Sequence, residues 1–383
     1  MNSAINLNAL VLCSDEKIVR VLRRTLGDLD IGVELCGDAD SALRKLTRRR
    51  FEAIIVDFTG EGSREVLRSA RSAPCNKQAV AVAIVDPAIG LKTAFELGAH
   101  FVLYKPVSAE RAKSSFRAAR ALMKSERRRN ARVAVQIPVV LRNLDGGPNL
   151  KVTTTDLSEG GMAVAMSGRR HPTGRWQIAF SLPGTQINLE LHAEFAWEGT
   201  AEQAGLRFLE VPPAEALKLR DWLKRSSPDA EQDDPPIRGQ LTDLTLGGCY
   251  LEIPTPFPVS SRVTLSMRAA AVEIRAQGVV RVMHPDKGMG VEFLKSTPDH
   301  RSAVERFMAV LSENRGLLPE LLVEPEGLEF ERGKGRRALV ETDDPLLQLF
   351  YGEPLTADAF QAALQKQRGT APAVAAAAAG ASA

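Results

Sequence analysis

The stretch Asp156–Met166 reads DLSEGGMAVAM, and Asp243–Ile253 reads DLTLGGCYLEI. Each starts with an aspartate, carries a hydroxyl residue two positions on, passes through a Gly-Gly pair and continues as a short apolar run. Glycines between two runs of strand length mark a turn joining two strands. GLRF follows the first turn at Gly205 and GVEF follows the second at Gly290, at nearly equal distances. Each copy then enters a segment of helical spacing, PPAEALKLRDWLKR in the first and HRSAVERFMAVLSENR in the second. The shared order and spacing indicate tandem duplication of one small β unit. The second copy is shorter at its start, because nothing ahead of IRGQLTDL corresponds to VAVQIPVVLR at 133–142.

Around these turns, residues 133–209 are short β-type runs punctuated by Gly, Pro and Asn, the texture of a small antiparallel barrel or sandwich. Upstream the texture is different. NALVLC is an apolar run of strand length, and EKIVRVLRRTL after it sets Ile18, Val19, Leu22 and Leu26 at helical spacing. The alternation continues through EAIIVDF, AVAVAIVD and FVLYKP to residue 122. Five apolar strands interleaved with amphipathic helices predict a parallel sheet covered on both faces, a flavodoxin-like doubly wound fold with its site at the carboxyl ends of the strands. The expected organisation is an α/β domain over 1–122, a barrel over 123–228, a second barrel over 229–316, each barrel with a closing helix, and a tail over 317–383. SSPDAEQDDPP reads as a linker between the barrels. LTADAFQAALQKQ in the tail reads as a short helix capped by Thr356, and the Ala-rich end as disordered by composition.

Composition narrows the function classes. A chain of 383 residues with 44% apolar and 25% charged residues is globular and multi-domain. A net charge of +3 gives no reason to expect nucleic acid over the whole chain, so any basic function is local. Cys13, Cys36, Cys75 and Cys249 are far apart in sequence and make no zinc pattern. The start has no basic-then-apolar leader pattern and no run is long enough to span a bilayer, so the expected location is the cytoplasm, without membrane insertion. The five histidines stand at no recognisable spacing from acids, and the chain is not expected to be an enzyme.

Between helix and barrel, residues 127–132 read RRRNAR. Guanidinium is planar and permanently charged. It binds phosphate oxygens bidentately and stacks on purines. Asp156 and Ser158 flank Leu157, so in a strand they share a face, where a carboxylate can accept from a guanine ring N–H and amino group. Gly160 and Gly161 are expected to allow positive φ and close backbone approach. Alone, the arginines are equally a solvated charge run and the turn equally a plain hairpin. Together, Arg128-x-x-x-Arg132 and Asp156-x-Ser158-x-x-Gly161 resemble the ligand signature of the PilZ family. Pro138-Val139, Trp197 and Gly205-x-x-Phe208 continue the likeness over about residues 123–228. The resemblance implies binding of cyclic di-GMP by Arg128, Arg129, Arg132, Asp156, Ser158 and Gly161. The second copy keeps Asp243, Thr245 and Gly248 but has only Arg238 nearby and, where Trp197 stood, Arg281 as the nearest match. It is therefore expected to be degenerate and not to bind the ligand.

IIVDF sets Asp57 at the end of the third strand, with Ser14-Asp15-Glu16 ending the first and Lys105-Pro106 the fifth. This set resembles the receiver domain of two-component response regulators. The resemblance implies a phosphoacceptor at Asp57, supported by Asp15 and Lys105, with Mg²⁺ held by Asp15 and Asp57. Three positions depart from it: Ser14-Asp15 replaces the acidic pair, Asp86 the switch hydroxyl and Val102 the switch aromatic.

The expected function is that of a cyclic di-GMP effector in bacterial signalling, whose ligand reorients domains and changes a contact with a protein partner or within a homodimer. The alternative is a ligand-independent adaptor using a degenerate receiver and PilZ-like modules. Nucleic-acid binding through Lys124–Arg132 is disfavoured, since that stretch lacks aromatics for base stacking and a recognition helix.

Overall fold

The computed structural model describes residues 7–370 except 74, 87–90, 167–173, 199–202, 210, 227–233, 295–297, 315 and 329–341. The sequence linker falls largely in 227–233 and the Ala-rich end in 371–383, so both lie mostly outside the described residues. The chain divides into two compact units, Arg127–Gln232 and a second that joins Asn6–Glu126 to Asp233–Ala383.

The N-terminal part alternates β1 (Leu7–Leu12), α1 (Glu16–Gly27), β2 (Ile31–Cys36), α2 (Ala39–Arg48), β3 (Ala53–Asp57), α3 (Ser63–Ser72), β4 (Val80–Val85), α4 (Leu91–Glu96), β5 (Phe101–Tyr104) and α5 (Ala109–Asn130). The strands pair in parallel in the order β2-β1-β3-β4-β5, the flavodoxin-like order. β3 and β4 are buried along their whole length, as strands covered on both faces must be. α1 buries Ile18, Leu22 and Leu26, the face its spacing predicts. α5 does not stop near residue 122 but runs on to Asn130, so Arg127, Arg128 and Arg129 are its last turn and not a loose linker.

In the first unit the chain continues as β6 (Val133–Ala134), β7 (Pro138–Asn143), β8 (Leu150–Ser158), β9 (Gly161–Ala165), β10 (Arg175–Ser181), β11 (Asn188–Glu198), β12 (Gln203–Leu209) and α6 (Pro213–Ser226). The sheet runs β6-β8-β7-β10-β11-β12-β9, and the β8–β9 pairing closes it into a barrel. Trp176 fills the interior, fully buried and edge-on to Phe195 at 5.8 Å. Trp222 of α6 is buried against the barrel, its indole N–H donating to the Pro183 carbonyl at 2.9 Å.

The rest of the chain forms β13 (Ile237–Leu244), β14 (Gly248–Glu252), β15 (Ser261–Ala269), β16 (Val272–His284), β17 (Gly288–Phe293), α7 (Pro298–Glu313), β18 (Glu320–Leu328), α8 (Pro345–Tyr351) and α9 (Ala357–Thr370). Six strands close a barrel in the order β13-β14-β17-β16-β15-β18. β18, expected from sequence to be part of a mixed tail, lies between β13 and β15, antiparallel to both. In the first barrel that place, between β8 and β10, belongs to β7. The strand missing from the start of the second copy is thus supplied from beyond its helix, and the two barrels are related by circular permutation.

One apolar core runs from the parallel sheet through α5 (Phe116, Leu122, Met123) into this barrel. Polar contacts fix the same junction. Arg120 and Lys124 of α5 reach Asp234 at 2.5 and 3.0 Å, and the Glu126 carboxylate accepts from the Leu328 N–H. Lys124 and Glu126 are almost fully buried. Lys124, the first cation of the basic stretch Lys124–Arg132, is therefore a buried partner of Asp234 and not a surface charge.

Candidate functional site

The first barrel builds its turn from backbone outward. β8 and β9 pair through Asp156–Ala163, Leu157–Met162 and Ser158–Gly161, with a register shift before Asp156. Leu157 points into the core and is fully buried, which turns Asp156 and Ser158 to the other side. The Ser158 hydroxyl donates to the Gly161 carbonyl at 2.9 Å, so it closes the turn. The Phe208 N–H donates to the Gly160 carbonyl at 3.0 Å, and Arg220 of α6 holds Glu159 at 3.3 Å. Neither Gly160 nor Gly161 has a positive φ, contrary to the sequence expectation. Gly161 is needed instead for close approach: a Cβ there would collide with the Leu206 carbonyl oxygen of β12. Open space surrounds Gly160.

The arginine segment is sewn to this turn. β6 pairs with β8, Val133 opposite Leu157 and Ala134 opposite Asp156. The buried Thr154 hydroxyl donates to the Val135 carbonyl at 2.5 Å and accepts from the Ile137 N–H at 2.9 Å. Arg132, leading into β6, meets the Asp156 carboxylate at 2.9 Å. Arg128 and Arg129 are half-buried on the last turn of α5. Thus the structure joins Arg132, Asp156, Ser158 and Gly161 in one place, with Arg128 and Arg129 a helical turn upstream.

Around Asp57 the arrangement is tighter. Its carboxylate accepts from Lys105 Nζ at 2.8 Å, from the Thr59 N–H at 3.0 Å and hydroxyl at 2.8 Å, and faces Cys13 Sγ at 3.5 Å. Burial pushes the carboxyl pKa up, but Lys105 and Thr59 outweigh it and hold the group below its ordinary value. Burial pushes the Cys13 thiol up to about 11, so it stands there neutral. Asp15, expected beside Asp57, instead turns to cap α1, accepting from the Lys17 and Ile18 N–H groups at 2.8 and 3.3 Å. At the end of β1, Leu12, Cys13 and Ser14, and not Asp15, line the Asp57 cavity of about 420 Å³. Among the described residues no three His, Cys, Asp or Glu side chains could hold a metal ion. The two carboxylates expected to hold Mg²⁺ do not converge: Asp57 is paired with Lys105 and Asp15 caps α1, while Asp38, Asp40, Glu61 and Glu65, which also line the cavity, form no three-residue metal cluster with Asp57.

This pairing has a measurable consequence. Lys105→Met is expected to raise the Asp57 carboxyl pKa, because burial remains while its main cationic partner is gone. Carboxyl-carbon NMR titration reads the shift, and an unchanged midpoint would contradict the geometry. The sign for stability follows. A lowered folded-state pKa contributes stability above the unfolded value of about 3.9, which is lost as pH falls through the folded value.

Comparison with known families decides what the barrels are. The PilZ domain family model matches the chain twice, at residues 126–225 and 224–309. The chain carries two PilZ domains. The second match stops at 309, before β18, so the strand that completes the second PilZ domain lies outside it. Among solved structures, the PilZ domain of CeSA from a cellulose-synthesising bacterium is 24% identical, covering 25% of this chain and 95% of its own, with a TM-score of 0.21. A putative response regulator from Chloroflexus aurantiacus J-10-fl is 18% identical, covering 30% and 97%, with a TM-score of 0.28. The receiver domain of a sensor histidine kinase from Pseudomonas aeruginosa PAO1, with a coordinated magnesium ion, is 19% identical, covering 31% and 98%, with a TM-score of 0.27. Comparison with curated proteins gives no match.

Two residues of the first PilZ domain escape sequence reasoning as site candidates. Arg207 pairs in register with Gly161 and holds Glu194. Trp197 is 43% exposed and lies on Gly205, which leaves an indole face open beside the turn strand. A tryptophan at an outward position of a barrel strand is the signal that could have placed it. No described helix is long and apolar enough to cross a membrane.

Proposed function

We propose that this protein is a cyclic di-GMP-binding effector of bacterial signalling, its ligand held by the first PilZ domain. The observation that supports the reading is the Arg132–Asp156 pair at 2.9 Å, with β6 laid on the turn strand. A phosphate-binding guanidinium and a guanine-binding carboxylate are thereby close together before any ligand arrives. The donor set fits the dinucleotide: Arg128, Arg129 and Arg132 for phosphates and purine faces, Asp156 for a guanine edge, and Gly161 for close packing of the turn. The pair is partly exposed, with half of the Arg132 side chain accessible, and such pairs are worth only about 0.2–1 kcal/mol. It orients Arg132 yet yields easily to a ligand.

Four or five charge-assisted hydrogen bonds give on the order of 6–15 kcal/mol gross. Association costs about 4–15 kcal/mol; micromolar affinity needs about 8 kcal/mol net, which is reached only where the site is ordered beforehand and the cost stays near the lower end. Isothermal calorimetry tests it: saturable heat at one ligand per chain supports the reading, and no heat at tens of micromolar ligand defeats it. Because the arginines end α5, ligand capture there would change the balance of domain arrangements and so a contact with a protein partner or a second copy. Scattering with and without ligand measures that step.

A second reading, ligand-independent scaffolding, is favoured for the receiver-like domain by the Asp57–Lys105 pair and by Asp15 serving as a helix cap. Acetyl phosphate with Mg²⁺ is expected to leave Asp57 unmodified by mass spectrometry. A stoichiometric phosphoryl adduct at Asp57 would restore the phosphoacceptor role.

A further inference from the structure

Strand registers superpose the two PilZ domains residue by residue. In the first, Gly161 faces Arg207 and Ala163 faces Gly205; in the second, Gly248 faces Glu292 and Tyr250 faces Gly290. Across the next pair, Trp197 stands opposite Gly205 and Val282 opposite Gly290. Valine, not Arg281, is therefore the structural counterpart of Trp197. The first domain covers its glycine with the Trp197 ring from its own barrel. The second covers Gly290 with the ring of Phe350, which belongs to α8 in the C-terminal segment.

The other contacts of that segment fall on the same patch. Asp344 caps α8, accepting from the Leu346 and Leu347 N–H groups, while its second oxygen accepts from the Gly247 N–H at 3.1 Å. Leu347 lies over Gly247, 2.6 Å from where a Cβ would stand. The Tyr351 hydroxyl donates to Glu292 at 2.7 Å, and the same carboxylate oxygen accepts from Arg281 at 2.6 Å. Leu346 and Phe350 are almost fully buried. Further on, the Phe360 ring of α9 packs at a tilt against Tyr250 at 4.9 Å and His284 at 5.0 Å, and Leu364 joins the same apolar cluster. At the register position of Arg207 the second domain has Glu292, whose carboxylate, held by Arg281, is an acceptor for a hydroxyl donor.

We propose that the second PilZ domain is a peptide-binding module, whose glycine face takes a short helix of pattern Asp-x-Leu-Leu-x-x-Phe-Tyr and whose resident ligand is Asp344–Tyr351 of the same chain. Three bare glycines supply the groove, the Gly247 N–H reads the capping aspartate, and Glu292 reads the terminal tyrosine. The inference is independent of what the first PilZ domain binds.

The test uses the full chain and a fluorescein-labelled synthetic peptide of residues 342–370. Wild-type protein is expected to show no anisotropy change, because the groove is filled. Leu347→Asp/Phe350→Asp, which ejects the segment, is expected to bind the peptide saturably, and adding Gly290→Val is expected to weaken that binding at least tenfold. Hydrogen exchange in β15 and β16 reports whether the variant barrel stays folded. If it does and no peptide binds, the proposal is overturned. It is equally overturned if wild type binds as well as the variant. Should the double variant unfold, a protease site placed within residues 333–337 of the wild-type chain replaces it. After cleavage the segment is expected to stay attached and to exchange for labelled peptide. A cleaved segment that never exchanges, or a barrel that unfolds on cleavage, makes the segment an integral part of the fold and ends the proposal.

Discussion

Replacing Arg128 and Arg132 together by alanine is expected to weaken cyclic di-GMP binding about 100-fold or more, since each charge-assisted contact is worth roughly 1.5–3 kcal/mol. Arg132 is the half-exposed partner of Asp156 and Arg128 lies on the last turn of α5, outside the barrel strands, so the barrel is expected to keep its melting temperature within a few degrees. Calorimetry and a thermal melt on one sample separate the two effects. Unchanged affinity would remove the arginines from the site. Lost affinity with a collapsed melt would mean that they hold the fold rather than the ligand. A further distinction comes from salt: arginines that bind phosphates make affinity fall as ionic strength rises.

The second large effect concerns the two glycines of the turn, which adjacent positions in the sequence make look alike. Gly161→Ala is expected to cost about 3 kcal/mol, because overpacking costs typically 1–3 kcal/mol and here the obstacle is backbone rather than a movable side chain. The new Cβ would meet the Leu206 carbonyl and the Arg207 Cα, and β9 would have to part from β12. For a domain of about 100 residues that is on the order of 10–20 °C in Tm. Gly160→Ala should change stability by less than about 0.5 kcal/mol, since its surroundings are open and its φ is not left-handed. Differential scanning of the two variants checks the contrast, and equal melting temperatures would contradict the close approach of β9 and β12.

Much of the fold was legible because its causes are local. Apolar runs such as AVAVAIVD can only be buried strands, and the helices between them show one apolar face. The duplication was legible from DLSEGG and DLTLGG, as was the shortage of one strand in the second copy. The replacement was not. ELLVEPEGL carries Pro325, which argues against a strand inside a sheet. The barrel tolerates it through a register shift, with Pro325 opposite Val263 and Gly327 opposite Arg262, where Glu326 is buried against Thr264 and Gln277. No pattern along the chain announces a partner strand that arrives after the closing helix.

The site divides in the same way. Arg132, Asp156 and Gly161 were readable as types at a spacing, and strand register brings them together. The role of Ser158 was not, because a hydroxyl two residues after an aspartate looks free until its bond to the Gly161 carbonyl is seen. At Asp57, the run Cys13-Ser14-Asp15-Glu16 offers acids in plenty, but only the backbone path shows that Cys13 faces Asp57 while Asp15 caps α1. The likeness between Trp197 and Phe350 joins residues from different elements and was out of reach of sequence reading altogether.

In the proposed function, guanine and phosphate recognition meet where the end of α5 runs onto the turn strand of the first PilZ domain. An amide NMR titration of the labelled chain with cyclic di-GMP tests it most directly. The largest shifts are expected in residues 128–135 and 156–161, with Arg132 and Asp156 foremost, and little change in 243–248 of the second PilZ domain. Saturable shifts confined to the second domain or to the Asp57 cavity, or none at all, would contradict it.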